Sequence, residues 1–218
     1  MYYGLIIDGV NTLAEYGLAL GADLEVPAPQ LRENRVTIPG RDGTLNLSYA
    51  LTGYPIYEDR ILAGSLAKTE DDISLEPLRT ELLTAYQGKT VEVILPTDLT
   101  HAYRGVFQFA GVSGYNRGVL KWTLTAEPYR LKLEDTEVEE SLTTTEKTIT
   151  LTNEGRPVIP EIVVTAQTAV TFGSGTYTLA AGTHHVADIC LREGDNTLTA
   201  KTLSGTGTIT FTYREGVL

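Results

Sequence analysis

One cysteine in 218 residues rules out an internal disulfide framework and any cysteine-built metal centre. That residue, Cys190, stands between Ile189 and Leu191 and is expected to be a small buried hydrophobe. Histidine is almost as scarce, with His101, His184 and His185 only. Adjacent strand residues point to opposite faces, so His184 and His185 cannot share a metal from a regular strand, and no Cys or carboxylate stands at ligand spacing beside them. Basic residues are outnumbered, 17 Lys+Arg against 28 Asp+Glu, for a net charge of -11 and a pI near 4.7. Such a surface does not grip phosphate backbones, so specific nucleic-acid binding is not expected. Divided after Lys132, the first part carries -4 and the second -7. Long apolar runs are missing too. The N-terminus, MYYGLIIDGVN, lacks a basic leader and is broken by Asp8 and Gly9, so neither a signal peptide nor a membrane span is expected, and folding in the cytosol is implied.

Catalytic signatures are equally thin. Gly64 to Thr69, GSLAKT, ends like a phosphate loop but lacks the glycine before its lysine. Gly173-Ser-Gly175 and Gly205-Thr-Gly207 lack the third glycine of a dinucleotide fingerprint and read as hairpin turns between strands. There is no G-x-S-x-G elbow and no H-E-x-x-H. Carboxylates abound, yet none is singled out by an apolar, pKa-raising setting, so no glycosidase pair is nominated. The chain reads as a non-enzyme with no cofactor.

What is present is a folded, β-rich protein: 42% hydrophobic and 21% charged, in a chain longer than the usual single domain of about 100–150 residues. Two domains are expected, 1–132 and 133–218. In the first, Tyr2 to Ile7 is a strand before an Asp8-Gly9 turn, and Gly17 to Gln30, with Pro27 and Pro29, is irregular. Arg35 to Ile38, Leu45 to Ser48 and the long Ile56 to Leu66 are strands around the rigid turn Pro39, Gly40, Arg41, Asp42, Gly43. One helix begins near Leu75: Ser74 caps it, Pro77 sits in its first turn, Leu75, Leu78, Leu82 and Tyr86 share a face, and Gly88 ends it. Val91 to Leu95, Tyr103 to Ala110 and the alternating Val119 to Ala126 follow, with a turn at Gly114 to Gly118 and Pro128 as the stop. Trp122, between Leu120 and Leu124 on its face, is expected in the core.

Glu134 to Glu140, EDTEVEE, is a linker or a first strand. Beyond it, Thr148 to Thr152, Glu161 to Thr165, Val170 to Phe172, Tyr177 to Leu179, His185 to Leu191, Thr197 to Ala200 and Thr208 to Tyr213 are short strands between Gly or Asn turns, the spacing of a jelly-roll sandwich. A sugar site in that sandwich would have to rest on Tyr177, Phe172, Phe211 or Tyr213.

The order of these parts resembles a known family. The PGRDG turn before a long strand, the helix near Leu75, the strand Val91 to Leu95 and the closing TLTAEPYRLK at Lys132 resemble the N-terminal domain of the distal tail proteins of long-tailed bacteriophages. Pro39 to Gly43 and Ala126 to Lys132 are the most specific portions. In the second half, Asn153-Glu-Gly155 with Pro157 and Pro160, then Leu191 to Leu198, LREGDNTL, resemble the galectin-like sandwich at that family's C-terminus.

The resemblance implies a mainly β protein, with an α+β N-terminal domain (a sandwich or split barrel with one helix) and a galectin-like jelly roll. It implies a virion tail-tip protein, assembled in the bacterial cytoplasm as a ring, usually of six, around the DNA channel. Its partners would be further copies of itself, the tail-tube protein, the tail-tip or baseplate hub protein and, in some relatives, receptor-binding proteins. The large arms some relatives carry have no room between Leu133 and Leu218. Pro39, Gly40, Arg41, Asp42 and Gly43 are the interface candidates, because a closing ring favours rigid loops and sheet edges. An acidic channel wall would let DNA slip past. The alternative is a carbohydrate-binding adhesion module acting through the second domain.

Overall fold

The computed structural model describes residues 3–50, 52–70, 75–110 and 119–218. The chain forms two compact units, 1–130 and 131–218. The first unit contains β1 (Ile6–Ile7), β2 (Val10–Asn11), α1 (Thr12–Tyr16), β3 (Leu18–Leu20), β4 (Arg35–Thr37), β5 (Thr44–Asn46), β6 (Arg60–Lys68), α2 (Leu75–Tyr86), β7 (Thr90–Leu95), β8 (Asp98–Phe109) and β9 (Val119–Lys132), whose last two residues lie past the unit boundary. The second contains β10 (Thr136–Leu142), β11 (Lys147–Asn153), β12 (Glu161–Val164), β13 (Thr168–Phe172), β14 (Gly175–Leu179), β15 (Gly182–His185), β16 (Gly194–Thr202), β17 (Gly207–Tyr213) and β18 (Gly216–Val217). The fold is mainly β. Among the described residues no helix is long and apolar enough to cross a membrane.

The sheet of the first unit runs β2-β1-β7-β8-β9-β6-β3. Alternation makes it: Leu120, Trp122, Leu124 and Ala126 on β9 are buried while Val119, Lys121 and Thr125 are exposed, and Phe107 and Phe109 on β8 are buried between exposed Val106 and Gln108. Onto that buried face α2 lays Leu82 and Tyr86, with Leu78 partly buried beside them. Gly88, at φ 69°, takes the left-handed turn that leaves the helix. The expected cap, Ser74, lies outside the described residues, as does the turn at Gly114 to Gly118.

Several expectations are corrected. Among the described residues there are two helices: Asn11 caps α1 by accepting from the Leu13 and Ala14 N–H groups at 3.0 and 3.3 Å, and Gly17 ends it at φ 64°. Leu18–Leu20 is a strand inside the stretch expected to be irregular, because its pairing with Lys68, Ala67 and Leu66 overrides local composition. The long strand occupies Arg60–Lys68 rather than Ile56 to Leu66. Pro128 does not stop β9, which continues to Lys132; it lies past Arg60↔Ala126, the end of the ladder with β6, where no N–H is required on that side. Of the first expected strand, Tyr2 lies outside the described residues and among the others only Ile6–Ile7 is strand, closed by a turn with Asp8 at φ 47° and Gly9 at φ 82°.

The second unit packs two four-stranded antiparallel sheets, β10-β17-β12-β15 and β11-β16-β13-β14, around one apolar layer. Ile162, Val164, Ile209 and Phe211 come from one sheet, and Ile149, Leu151, Val170 and Leu198 from the other. Thr136–Leu142 is the first strand, which decides between the two readings of that acidic stretch. β15 ends at His185, so Val186 to Leu191 is not the strand expected; Ile189 and Leu191 are buried there and Cys190 is half-buried.

One carboxylate ties the ends of this unit together. Glu215, 4% exposed, accepts from Lys132 Nζ at 2.9 Å, Thr136 Oγ1 at 2.5 Å and the Glu154 N–H at 2.8 Å. Burial alone would raise its pKa; these donors and the Lys132 charge outweigh burial and hold it below the ordinary carboxylate range. Its stabilising effect is therefore complete above the unfolded-state value and is lost as pH falls through the lower folded value.

Two outcomes follow. Gly105→Ala puts a β-carbon against the Thr125 carbonyl and within 2.6 Å of Ala126 Cα, backbone that cannot yield, and is expected to destabilise the first unit by about 2–3 kcal/mol, read from the fluorescence of Trp122, the chain's one tryptophan. Glu215→Gln is expected to cost the second unit about 2–4 kcal/mol at neutral pH, measured by amide hydrogen exchange, and to flatten the acid loss of stability below about pH 4.

Candidate functional site

The turn singled out in the sequence closes a hairpin that stands clear of its own unit. β4 and β5 pair with Arg35 opposite Asn46, Val36 opposite Leu45 and Thr37 opposite Thr44, and form a two-stranded sheet of their own. Residues 32–44 are all exposed. Pro39 presets φ, Gly40 and Gly43 sit at φ 81° and 73°, and the Arg41 N–H donates to the Ile38 carbonyl at 3.2 Å. Arg41 and Asp42 are thereby presented at the tip. All five residues named from sequence lie together here.

The base of this arm is fixed and its shaft is bare. Leu47 N–H donates to the Asn34 carbonyl, Asn34 N–H to Ser48 Oγ, Arg32 N–H to the Ile56 carbonyl and Glu58 N–H to the Gln30 carbonyl, all at 2.7 to 2.8 Å. Along the shaft Arg35 grips Glu33 through Nε at 2.8 Å and Nη2 at 3.1 Å; that hydrogen bond and charge hold the Glu33 carboxyl below its ordinary range. Val36, Ile38 and Tyr49 are exposed. A two-stranded ribbon without a covering layer is marginal in water, and uncovered apolar side chains on it mark a surface for another molecule.

A second polar group, invisible in the sequence, closes one end of the first unit's core. Arg60 opens β6 on the face that carries Leu62 and Leu66, and its guanidinium lies 4.7 Å over the Tyr103 ring. Burial above all lowers its pKa; Tyr103 opposes this, and the charge of Arg130 adds a smaller lowering effect. Asp98 accepts from Arg130 Nη1 at 3.2 Å, from Thr100 N–H at 3.0 Å and from Thr100 Oγ1 at 2.6 Å, and lies 3.1 Å from His101 Nδ1. Burial acts to raise the Asp98 carboxyl, and those partners outweigh it and hold it low. Tyr57 and Tyr129 meet edge to face at 6.0 Å. Arg60 carried no sequence signal because a strand-end arginine reads as solvent-facing.

The remaining candidates are placed as follows. Among the described residues no group of His, Cys, Asp and Glu is gathered for a metal. His184 Nε2 lies 2.7 Å from the Ala180 carbonyl, and His185 is 3.8 Å from Glu161. Of the aromatics a sugar site would need, Phe211 and Tyr213 are buried core, and Phe172 and Tyr177 pack partly buried against that core.

No family model matches the chain, and no curated protein matches it in sequence. In fold it is similar to the crystal structure of SPP1 Dit (gp 19.1), described as a paradigm of the hub adsorption apparatus in Gram-positive-infecting phages, with a TM-score of 0.62 and 16% identity over 100% of both chains.

Because Val36 and Ile38 are exposed, Val36→Ser with Ile38→Ser is expected to shift stability by less than about 1 kcal/mol in a urea titration. A larger loss would mean that the arm is packed on its own body.

Proposed function

We propose that the chain is a structural, non-enzymatic subunit of a phage or prophage tail tip, closing with copies of itself into a ring, of six by the family resemblance, that joins the tail tube to the tail-tip or baseplate proteins. The observation that carries this reading is the exposed hairpin arm, on a fold that matches a tail-hub protein end to end. A ring needs a contact between two different patches repeated until it closes. A rigid arm with an apolar shaft and a fixed tip supplies one such patch. In this reading residues 1–132 form the ring, 133–218 form a galectin-like sandwich, and Pro39 to Gly43 belong to the copy-to-copy interface.

The acid excess fits the role. With 28 acidic against 17 basic residues, copies facing a channel would not trap passing DNA. Receptor-binding proteins are possible neighbours of the sandwich only through its own surface, since it carries no long arm. The sugar-binding alternative has less support, because its four aromatics are core or packed against core.

Mass measurement over a concentration range, followed by electron microscopy of tails containing the chain, tests the reading. Closed rings at the tail tip are expected, with the paired serine variant at Val36 and Ile38 weakening association at least about tenfold, the effect of roughly 1.4 kcal/mol. A monomer within assembled tails, a channel lined by Arg and Lys, or turnover of a substrate would each count against it.

A further inference from the structure

We propose that Arg60 is the floor of a carboxylate-binding site in the first unit, and that the carboxylate comes from outside the folded chain. Along one edge a guanidinium offers two parallel donors, Nε–H and Nη2–H, spaced to meet both oxygens of a carboxylate. Arg35 shows that edge occupied, by Glu33 at 2.8 and 3.1 Å. In Arg60 the same edge is buried, and neither Nε nor Nη2 has an acceptor among the described residues. The whole residue is 6% exposed. Tyr103 meets the flat face of the guanidinium, which leaves the edge unused.

Asp98, the ion-pair partner of Arg130, is already committed. Asp98 has four neighbours, Thr100 N–H, Thr100 Oγ1, His101 Nδ1 and Arg130 Nη1, for the four lone-pair sites a carboxylate possesses. Arg130, close enough for its charge to act on Arg60, adds a second cation to this region, and the Arg60 edge has no acceptor among the described residues. A buried cation without a counter-charge is strongly unfavourable, and a carboxylate on the Arg60 edge removes the charge deficit and both idle donors together. Arg130 and Asp98, with side chains 30% and 26% exposed, are the part of the cluster nearest solvent, and entry is placed there.

The carboxylate is either a free carboxylate ion or an acidic side chain of a second copy. The second source rests on the ring reading above, and the first does not. Nuclear magnetic resonance of the full chain, following the Arg60 Nε–Hε signal, separates them. In dilute protein, sodium acetate is expected to move that signal saturably downfield and to raise the thermal midpoint by a few °C over sodium chloride at equal ionic strength. Arg60→Lys, which keeps the charge and loses the edge, should abolish the acetate effect. Arg60→Met should melt higher than the native chain in chloride, since the unpaired cation is gone. The same downfield shift on concentrating the protein without acetate identifies a second copy as the source. A response to acetate alone assigns the site to free carboxylates and excludes a second copy as the source, without touching the ring reading, which rests on the arm. An Arg60 signal indifferent to both treatments overturns the proposal, as does a lower midpoint for Arg60→Met, which would mean the guanidinium is satisfied within the fold.

Discussion

A missing β-carbon sets the depth of the first unit's core. Gly64 on β6 is the ladder partner of Trp122 on β9, and a Cβ at Gly64 would lie 3.1 Å from the indole Cζ2 and 3.3 Å from Cε2. With that position empty the indole lies flat over β6 and stacks on Phe107 of β8, centroids 5.5 Å apart and planes 15° from parallel. Phe107 in turn meets Phe109 at 5.0 Å and Tyr86 of α2 at 6.4 Å, edge on. One aromatic chain therefore joins three strands to the helix. Burial of that face carries Tyr86 with it and pushes its hydroxyl pKa up to about 12, with a hydrogen bond to Tyr16 adding to the effect. The strand that supplies the glycine also carries Arg60 at its start, on the same face, so the packing that buries Trp122 at one level buries a guanidinium at another.

The features legible in the sequence were those carried by period and punctuation. Alternation on β8 and β9, the apolar face of α2 and the glycine turns of the second unit each repeat a local rule over enough residues to be read. What escaped depended on partners far along the chain. Leu18–Leu20 is a strand because Leu66 to Lys68 pairs with it, and β9 passes Pro128 because β6 has already ended. α1 is the exception, since its signals were present: Asn11 as cap, Glu15 in the first turn and Gly17 at the end, around only five residues. So short a helix needs its flanks. Thr12, fully buried, accepts from the Leu5 N–H and donates to the Leu18 carbonyl at 2.9 Å each.

Of the site, the tip was legible and the arm was not. Pro39, Gly40 and Gly43 announce a rigid turn from chemistry alone. That the strands on either side lack a covering layer follows from where the rest of the chain goes, which no local pattern states. Arg60 was less legible still, because an arginine announces charge and says nothing of burial.

Two buried charges mark opposite uses of the same physics. Glu215 has three donors on its two oxygens, one of them the Lys132 ammonium, so its burial is compensated and it holds the start of its unit to the end. Arg60 has an aromatic face against it, a second guanidinium close by and two idle donors. Dispersion against Tyr103 offsets part of the lost hydration, but nothing within the described residues replaces the lost hydrogen bonds. A fold that satisfies one buried ion so fully has the means to satisfy another. Because the second is left short within the described residues, the energy of filling its edge is not spent in folding and would add to the binding of the carboxylate proposed above.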